Sequence, residues 1–266
     1  MRRLAPLEKY TPLCYDGAIL KEKEARVMIG LGTLINVLAI VVGGLIGIVG
    51  GKWLTARCQE TLIRSMGVCV MVVGLAGAFE QMLTVSGGKL VSGGTMMLVV
   101  SMALGGLLGE LLDLDRRMEG FGRWLREKSG NGKDSQFLDA FITATMTVCI
   151  GAMAIVGAVE DGIHGNYTIL AAKALMDFVI ILVMASSMGK GCIFSAIPVG
   201  LFQGSVTLLA RLVEPLLTAA ALSGLSLVGS VLIFCVGVNL IWKNTIRVAN
   251  LLPALLVAVA WALLGI

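Results

Sequence analysis

The chain has 266 residues with a formal charge of +4; 57% are hydrophobic and 14% charged, where a soluble domain carries roughly 45–50% and about 25%. Mean hydropathy is +0.92. Too little charge is present to cover a soluble surface, which excludes an ordinary soluble enzyme, a disordered chain and a disulfide scaffold, while the modest basic excess, set between apolar runs, argues against a nucleic-acid partner.

Residues 1–27 differ from the rest: they hold six Lys/Arg, four acids and the run Lys21-Glu22-Lys23-Glu24. They contain no apolar h-region, so they are not a signal peptide. Met28 opens an apolar block directly. The expectation is a start at Met28, with 1–27 a disordered or non-native extension before a single transmembrane domain over 28–266.

Eight apolar blocks follow, near 29–50, 66–84, 93–112, 137–159, 168–188, 193–210, 215–241 and 248–265. At 1.5 Å per residue each nearly or fully spans about 30 Å of hydrocarbon. A membrane barrel would instead alternate polar and apolar residues over about ten positions. The fold class is therefore all-α, a polytopic transmembrane bundle of seven or eight helices. The sixth block contains Pro198 and the seventh several Ser and Gly, so a tilt, kink or break is expected there.

In the first block Gly43, Gly47 and Gly51 form a GxxxG ladder, repeated by Gly105 and Gly109 in the third. Such faces let helices approach closely, within one chain or across a homodimer. Ser65–Glu80 aligns without gaps to Thr145–Glu160 with six identities in sixteen positions, a candidate internal repeat. Residues 113–135 interleave acids and bases around Met118, Phe121, Trp124 and Leu125 at helical spacing. That pattern predicts an amphipathic helix on the inner surface, held at anionic membrane lipid.

Charge orients the blocks. With residue 28 and the C-terminus outside, inner loops collect twelve basic residues (Lys52, Arg57, Arg64, Arg116, Arg117, Arg123, Arg126, Lys128, Lys133, Lys190, Lys243 and Arg247) and outer loops only Lys89 and Arg211. That is the positive-inside pattern.

The fifth block places Lys173 and Asp177 four residues apart, on one helix face near mid-membrane. A carboxylate there is costly unless paired, hydrated or protonated. Two readings stand: a site that takes a proton or small cation, or an ion pair that fixes packing. Asn36, Thr143, Thr147 and Gln203 are expected to line such a site. Glu160, Asp161 and Glu80 are expected to guard an outer mouth, where acids concentrate cations. A transporter should show a polar cavity reaching Asp177 from one side; a scaffold should show Asp177 fully paired in a dry interior.

Six cysteines without a CxxC pair read as small buried hydrophobes, and the lone His164 as a loop residue. No Walker A, GxGxxG, HExxH or GxSxG pattern is present. No enzyme and no cofactor are expected.

Three stretches carry a resemblance: MIGLGTLINVLAIVVGGLIGIVGG at Met28–Gly51, then GAMAIVGAVEDG, KALMD and SAIPVGLFQGSVTLLA within Gly151–Leu209, and the ending IRVANLLPALLVA. Together they resemble the YdfK/YqgA-like bacterial inner-membrane family of unknown function, over about residues 28–266. The resemblance implies a bacterial inner-membrane home and imports no activity. A membrane Asp followed by Gly189-Lys190-Gly191 and a polar helix is more faintly similar to small divalent metal-ion exporters. The expected function is a small secondary transporter or channel coupled to a cation or proton. The alternatives are a non-transporting scaffold or assembly factor, and a divalent metal-ion exporter.

Overall fold

The computed structural model describes residues 29–86, 89–132, 134, 136–242 and 245–265. The expectations for residues 1–28, Lys133 and Lys243 lie outside the described residues.

Helices account for nearly all of it. α1 is Leu31–Gly51 and α2 Ala56–Met82, followed by the hairpin β1 (Leu83–Ser86) and β2 (Lys89–Ser92), which pair antiparallel. Next come α3 (Thr95–Leu112), α4 (Leu114–Lys128), α5 (Phe137–Cys149), α6 (Ala152–His164) and α7 (Thr168–Met188). A 3-10 turn over Lys190–Ser195 leads into α8 (Ala196–Leu208) and the short α9 (Ala210–Val213). The chain closes with α10 (Ala219–Ile241), α11 (Val248–Leu251) and α12 (Pro253–Leu264).

Six helical segments are long and apolar enough to cross a membrane: Leu31–Gly51, Ala56–Met82, Thr95–Leu112, Thr168–Met188, Lys190–Leu208 and Ala219–Ile241. The bent pair α5–α6 makes a seventh span, and Val248–Leu264 is a shorter apolar segment. These match the eight apolar blocks in order. Trp53, Trp124 and Trp242 are all exposed at the end where α1, α4 and α10 meet the Arg-rich loops, as interfacial Trp residues do. Exposed Leu, Val and Met residues along α1, α2 and α3 form the apolar belt that lipid covers.

The glycine ladders hold the bundle together internally. A methyl group on Gly47 would lie 2.3 Å from the Leu182 carbonyl oxygen, and one on Gly51 2.4 Å from that of Ser186. Gly43 meets Phe178 in the same way, so α1 and α7 run parallel with their backbones nearly touching. On α3, methyl groups at Gly105 and Gly109 would strike Ala254 and the Asn250 carbonyl. α3 therefore packs antiparallel against α11 and α12. Both ladders read as candidate dimer faces are filled by helices of the same chain. α2 packs antiparallel to α10 through Gly67, Gly74 and Gly237.

α5 sits at the centre. Phe137, Ala140, Phe141, Ala144, Thr145, Met146, Thr147 and Val148 are all buried, so its second half is enclosed by neighbouring helices while Asp139 near its start stays exposed. One flank packs against Ile40, Ile181 and Met184, the other against Val228, Leu232 and Val236. α4 lies across its start, with Gly122 against Leu138 and Phe141.

The break falls in the fourth block, where none was expected. Gly151 adopts φ +144°, and α5 and α6 meet at 62°. That backbone is open to glycine and strained for other residues. The seventh block, open in the sequence to a tilt, kink or break, is the unbroken α10. Pro198 occupies the third position of α8, where a missing N–H costs no helical bond. The candidate repeat is unequal in shape: Ser65–Glu80 lies within one continuous helix, while Thr145–Glu160 spans the break.

Candidate functional site: a buried polar file ending at Lys173 and Asp177

Lys173 and Asp177 are 5% and 4% exposed and form an ion pair along α7. The break in α5–α6 supplies the third group. Carbonyls of the last turn of a helix lack intrahelical donors, and one of these, from Val148, accepts from Lys173 Nζ at 2.7 Å. A cation at a helix C-terminus also meets the negative end of its dipole. The chain thus builds a half-helix end inside the bundle and aims a lysine at it.

From this pair a row of polar groups runs toward the α1 start. Asn36 lies beside the Asp177 carboxylate. Its amide donates to Gln203 Oε1 at 3.1 Å. One turn back, the Thr33 and Thr207 hydroxyls stand 3.5 Å apart. At the end of the row, the Gly32 backbone N–H donates to Asp161 Oδ2 at 3.1 Å. Asn36, Gln203 and Asp161 are 0% exposed. The residues come from α1, α6, α7 and α8, brought to one line by the 3.6-residue period of α1.

The row is not fully satisfied. Asn36 Oδ1, Gln203 Nε2 and Asp161 Oδ1 are buried without a hydrogen-bond partner among the described residues, as is Thr145 Oγ1 on α5. Interiors rarely leave such groups unpaired, because each loses its hydration for nothing.

Expected site residues divide between this row and the opposite end. Asn36 and Gln203 lie in the row that ends at Lys173 and Asp177. Thr147 is buried one residue from Val148, but its hydroxyl bonds back to the Thr143 carbonyl at 2.7 Å. Thr143 lines two cavities of about 290 and about 280 Å3 at the Arg-rich end. Asp139 and Asn239 line both as well. Neither cavity is lined by Lys173 or Asp177; the deepest lining residue of α5 is Met146. The acids expected at an outer mouth are unlike one another. Glu80 is exposed, Glu160 is half-buried and bonds His164 at 3.2 Å, and Asp161 is wholly buried. Asp161 is therefore a member of the file, turned inward to the α1 start.

A further cluster lies at the Arg-rich end. Glu110 accepts from Arg247 at 2.7 Å and from Asn250 Nδ2 at 2.6 Å, and Asn250 Oδ1 accepts from the Asp115 N–H at 2.7 Å. It ties the α3–α4 corner to the α11 start. Beside it, burial and then the neighbouring Glu119 hold the Asp115 carboxyl above its usual range. Thr33 and Gly32 were unmarked in the sequence: nothing in a Gly-Thr pair signals a remote carboxylate. Among the described residues no group of three or more His, Cys, Asp or Glu side chains is placed to hold a metal ion, and the described cysteines are unpaired.

Lipid-length apolar helices, an apolar outer belt and a polar interior define a multi-pass integral membrane protein. The family model described as "Protein of unknown function (DUF554)" matches residues 31–263, and the chain belongs to that family. It is 30% identical to the "Uncharacterized membrane protein YdfK" of Bacillus subtilis (strain 168) over 85% of this chain and 93% of that protein. It is 26% identical to the "Uncharacterized protein YqgA" of Escherichia coli (strain K12) over 86% of this chain and 94% of that protein. No solved structure matches.

Proposed function

We propose that the protein is a small secondary transporter of the bacterial inner membrane, coupled to a proton or small cation taken up at Asp177. The observation that supports this most is the buried polar file with its unpartnered atoms. A pair that only fixed packing would need Lys173, Asp177 and one carbonyl; it would not need a row of amides, hydroxyls and a second carboxylate leading away from it.

In this reading Lys173 is an internal cation that competes for Asp177. Arrival of a proton or cation at Asp177 releases the ammonium, which retains the Val148 carbonyl. The α5–α6 corner at Gly151 is then the element that moves, since Val148 couples it to the charge state of α7. The cavities around Asp139, Thr143 and Asn239 serve as the vestibule on the other side of the closed pair. The Arg-rich end faces the cytoplasm by the positive-inside rule, which puts Asp161 at the outer end of the file.

The test is flux. In proteoliposomes holding a pH-sensitive dye, an imposed cation or proton gradient should drive a signal in wild-type protein and none in Asp177→Asn. Equal signals in the two would sink the proposal. A non-transporting scaffold is the second reading, favoured by the dryness of the pair and by cavities that stop at Met146. It expects no flux in either protein under any gradient.

A further inference from the structure

Asp161 poses a separate problem. It is 0% exposed, and only one of its carboxylate oxygens has a partner among the described residues, the Gly32 N–H. That bond makes it a tertiary cap on α1, and the helix dipole offsets part of its charge. Oδ1 remains bare. No lysine, arginine or histidine pairs with Asp161 among the described residues. The nearest in sequence, His164, bonds Glu160, and Lys173 bonds Asp177. A buried carboxylate with a free oxygen and no counter-ion is strongly disfavoured unless something positive joins it.

Oxygen-bearing groups of α1 and α8 belong to the residues next to the contacts of Asp161. Gly162 packs so closely on α8 that a methyl group there would lie 2.4 Å from the Thr207 carbonyl oxygen. That carbonyl sits in the last turn of α8, where the helix end carries partial negative charge. Thr33 follows Gly32, the residue that bonds Asp161, and Thr207 is the residue whose carbonyl Gly162 meets; their two hydroxyls face each other between α1 and α8. Their separation of 3.5 Å is long for an O–H···O bond, whose usual length is about 2.7–2.8 Å. It suits two oxygens on adjacent vertices around a hard cation held at about 2.4 Å.

We propose that Asp161, Thr33 and Thr207 form a binding site for a monovalent cation of sodium's size at the junction of α1, α6 and α8. The single carboxylate supplies one unit of charge, which a monovalent ion neutralises and a divalent ion would exceed. All the ligands are oxygens, which suits an alkali cation and not a soft metal. The site deepens the transport reading, on which its physiological meaning rests: it would be the first stop on the file, with Gln203, Asn36 and Asp177 beyond.

Binding is tested without transport. The melting temperature of the full chain in detergent is followed against NaCl, KCl and choline chloride at constant ionic strength and pH. A ligand that binds only the folded state raises stability as its concentration passes Kd. The expected result is a saturating rise with sodium that choline does not give and potassium gives only weakly. Asp161→Asn keeps an oxygen for the Gly32 N–H while removing the charge, so it should retain the fold and lose the rise. Thr33→Val and Thr207→Val should each weaken apparent sodium affinity by about tenfold, which keeps the test open even if Asp161→Asn does not fold. Glu80→Gln, at an exposed acid outside the file, should keep the sodium response.

Equal rises in sodium and choline would overturn the proposal, as would a response that follows pH and ignores sodium. Loss of the response in Asp177→Asn with retention in Asp161→Asn would overturn it too, by placing the ion at Asp177. A sodium response without flux sustains the site and defeats the transport reading; flux without a sodium response does the reverse.

Discussion

Removing one member of the Lys173–Asp177 pair leaves the other charged in a dry interior. Breaking a buried pair in this way costs about 3–5 kcal/mol, whereas replacing both members with apolar groups of similar size is often neutral. Lys173→Met and Asp177→Leu should each lower the denaturation midpoint in detergent, and the double variant should recover most of the loss while carrying no flux. Recovery of stability together with flux would separate the pair from transport. Asp115 acts in the opposite sense to a stabilising ion pair. Burial first, and Glu119 second, raise its carboxyl in the folded state, so the fold holds that proton more tightly than the unfolded chain does. The stability this contributes is fully present below the ordinary Asp pKa and is lost as pH rises through the folded value. Asp115→Asn should therefore melt higher than wild type at about pH 7 and differ little at about pH 3.5; equal differences at both would mean the amide acts through packing.

At the scale of elements, helix contact is set by glycine. At Gly109 a methyl group would overlap the Asn250 carbonyl at 1.8 Å, yet at Gly50, on the helix that carries the first ladder, nothing lies within 4 Å. Gly109→Ala should destabilise by about 1–3 kcal/mol, the usual cost of overpacking. Gly50→Ala should stabilise by up to about 1 kcal/mol through helix propensity. Thermal melts of the two variants side by side check the sign of each. The GxxxG spacing made the existence of these faces legible in the sequence, but not their partners, because spacing records that a helix has a flat side and nothing about what lies on it. The break at Gly151 was hidden for a related reason. Thr145–Glu160 reads as continuous apolar sequence, like its counterpart in α2, and apolar composition fixes the depth of a segment in the membrane without fixing its straightness. Gly and Ser in α10 suggested a bend that enclosure by α2, α5 and α12 suppresses. Lys173 and Asp177 were legible because two opposite charges at i and i+4 inside an apolar block have few fates. Thr33, Thr207 and the inward turn of Asp161 depend on α1, α6 and α8 meeting, which no local pattern encodes.

For the whole molecule the outstanding quantity is direction. The helices alternate along the bundle, so α1, α3, α7 and α10 start at the end that holds Asp161, and α2, α5, α8 and α12 start at the Arg-rich end. Antiparallel packing places His164 and the α12 end at one end of the bundle and α4 at the other. In a cysteine-free background, His164→Cys should react with a membrane-impermeant maleimide added to intact cells. Gly120→Cys, on the exposed face of α4 where a side chain meets no neighbour, should react only after permeabilisation. Both positions are exposed on the fold, so a lack of labelling at either has no explanation in burial within the chain. The reverse pattern would put the basic loops outside, against the charge rule that orients membrane helices. It would also turn the file around, making Asp161 the cytoplasmic end and the Asp139 vestibule the outer one, so that the same residues would describe release where entry is proposed.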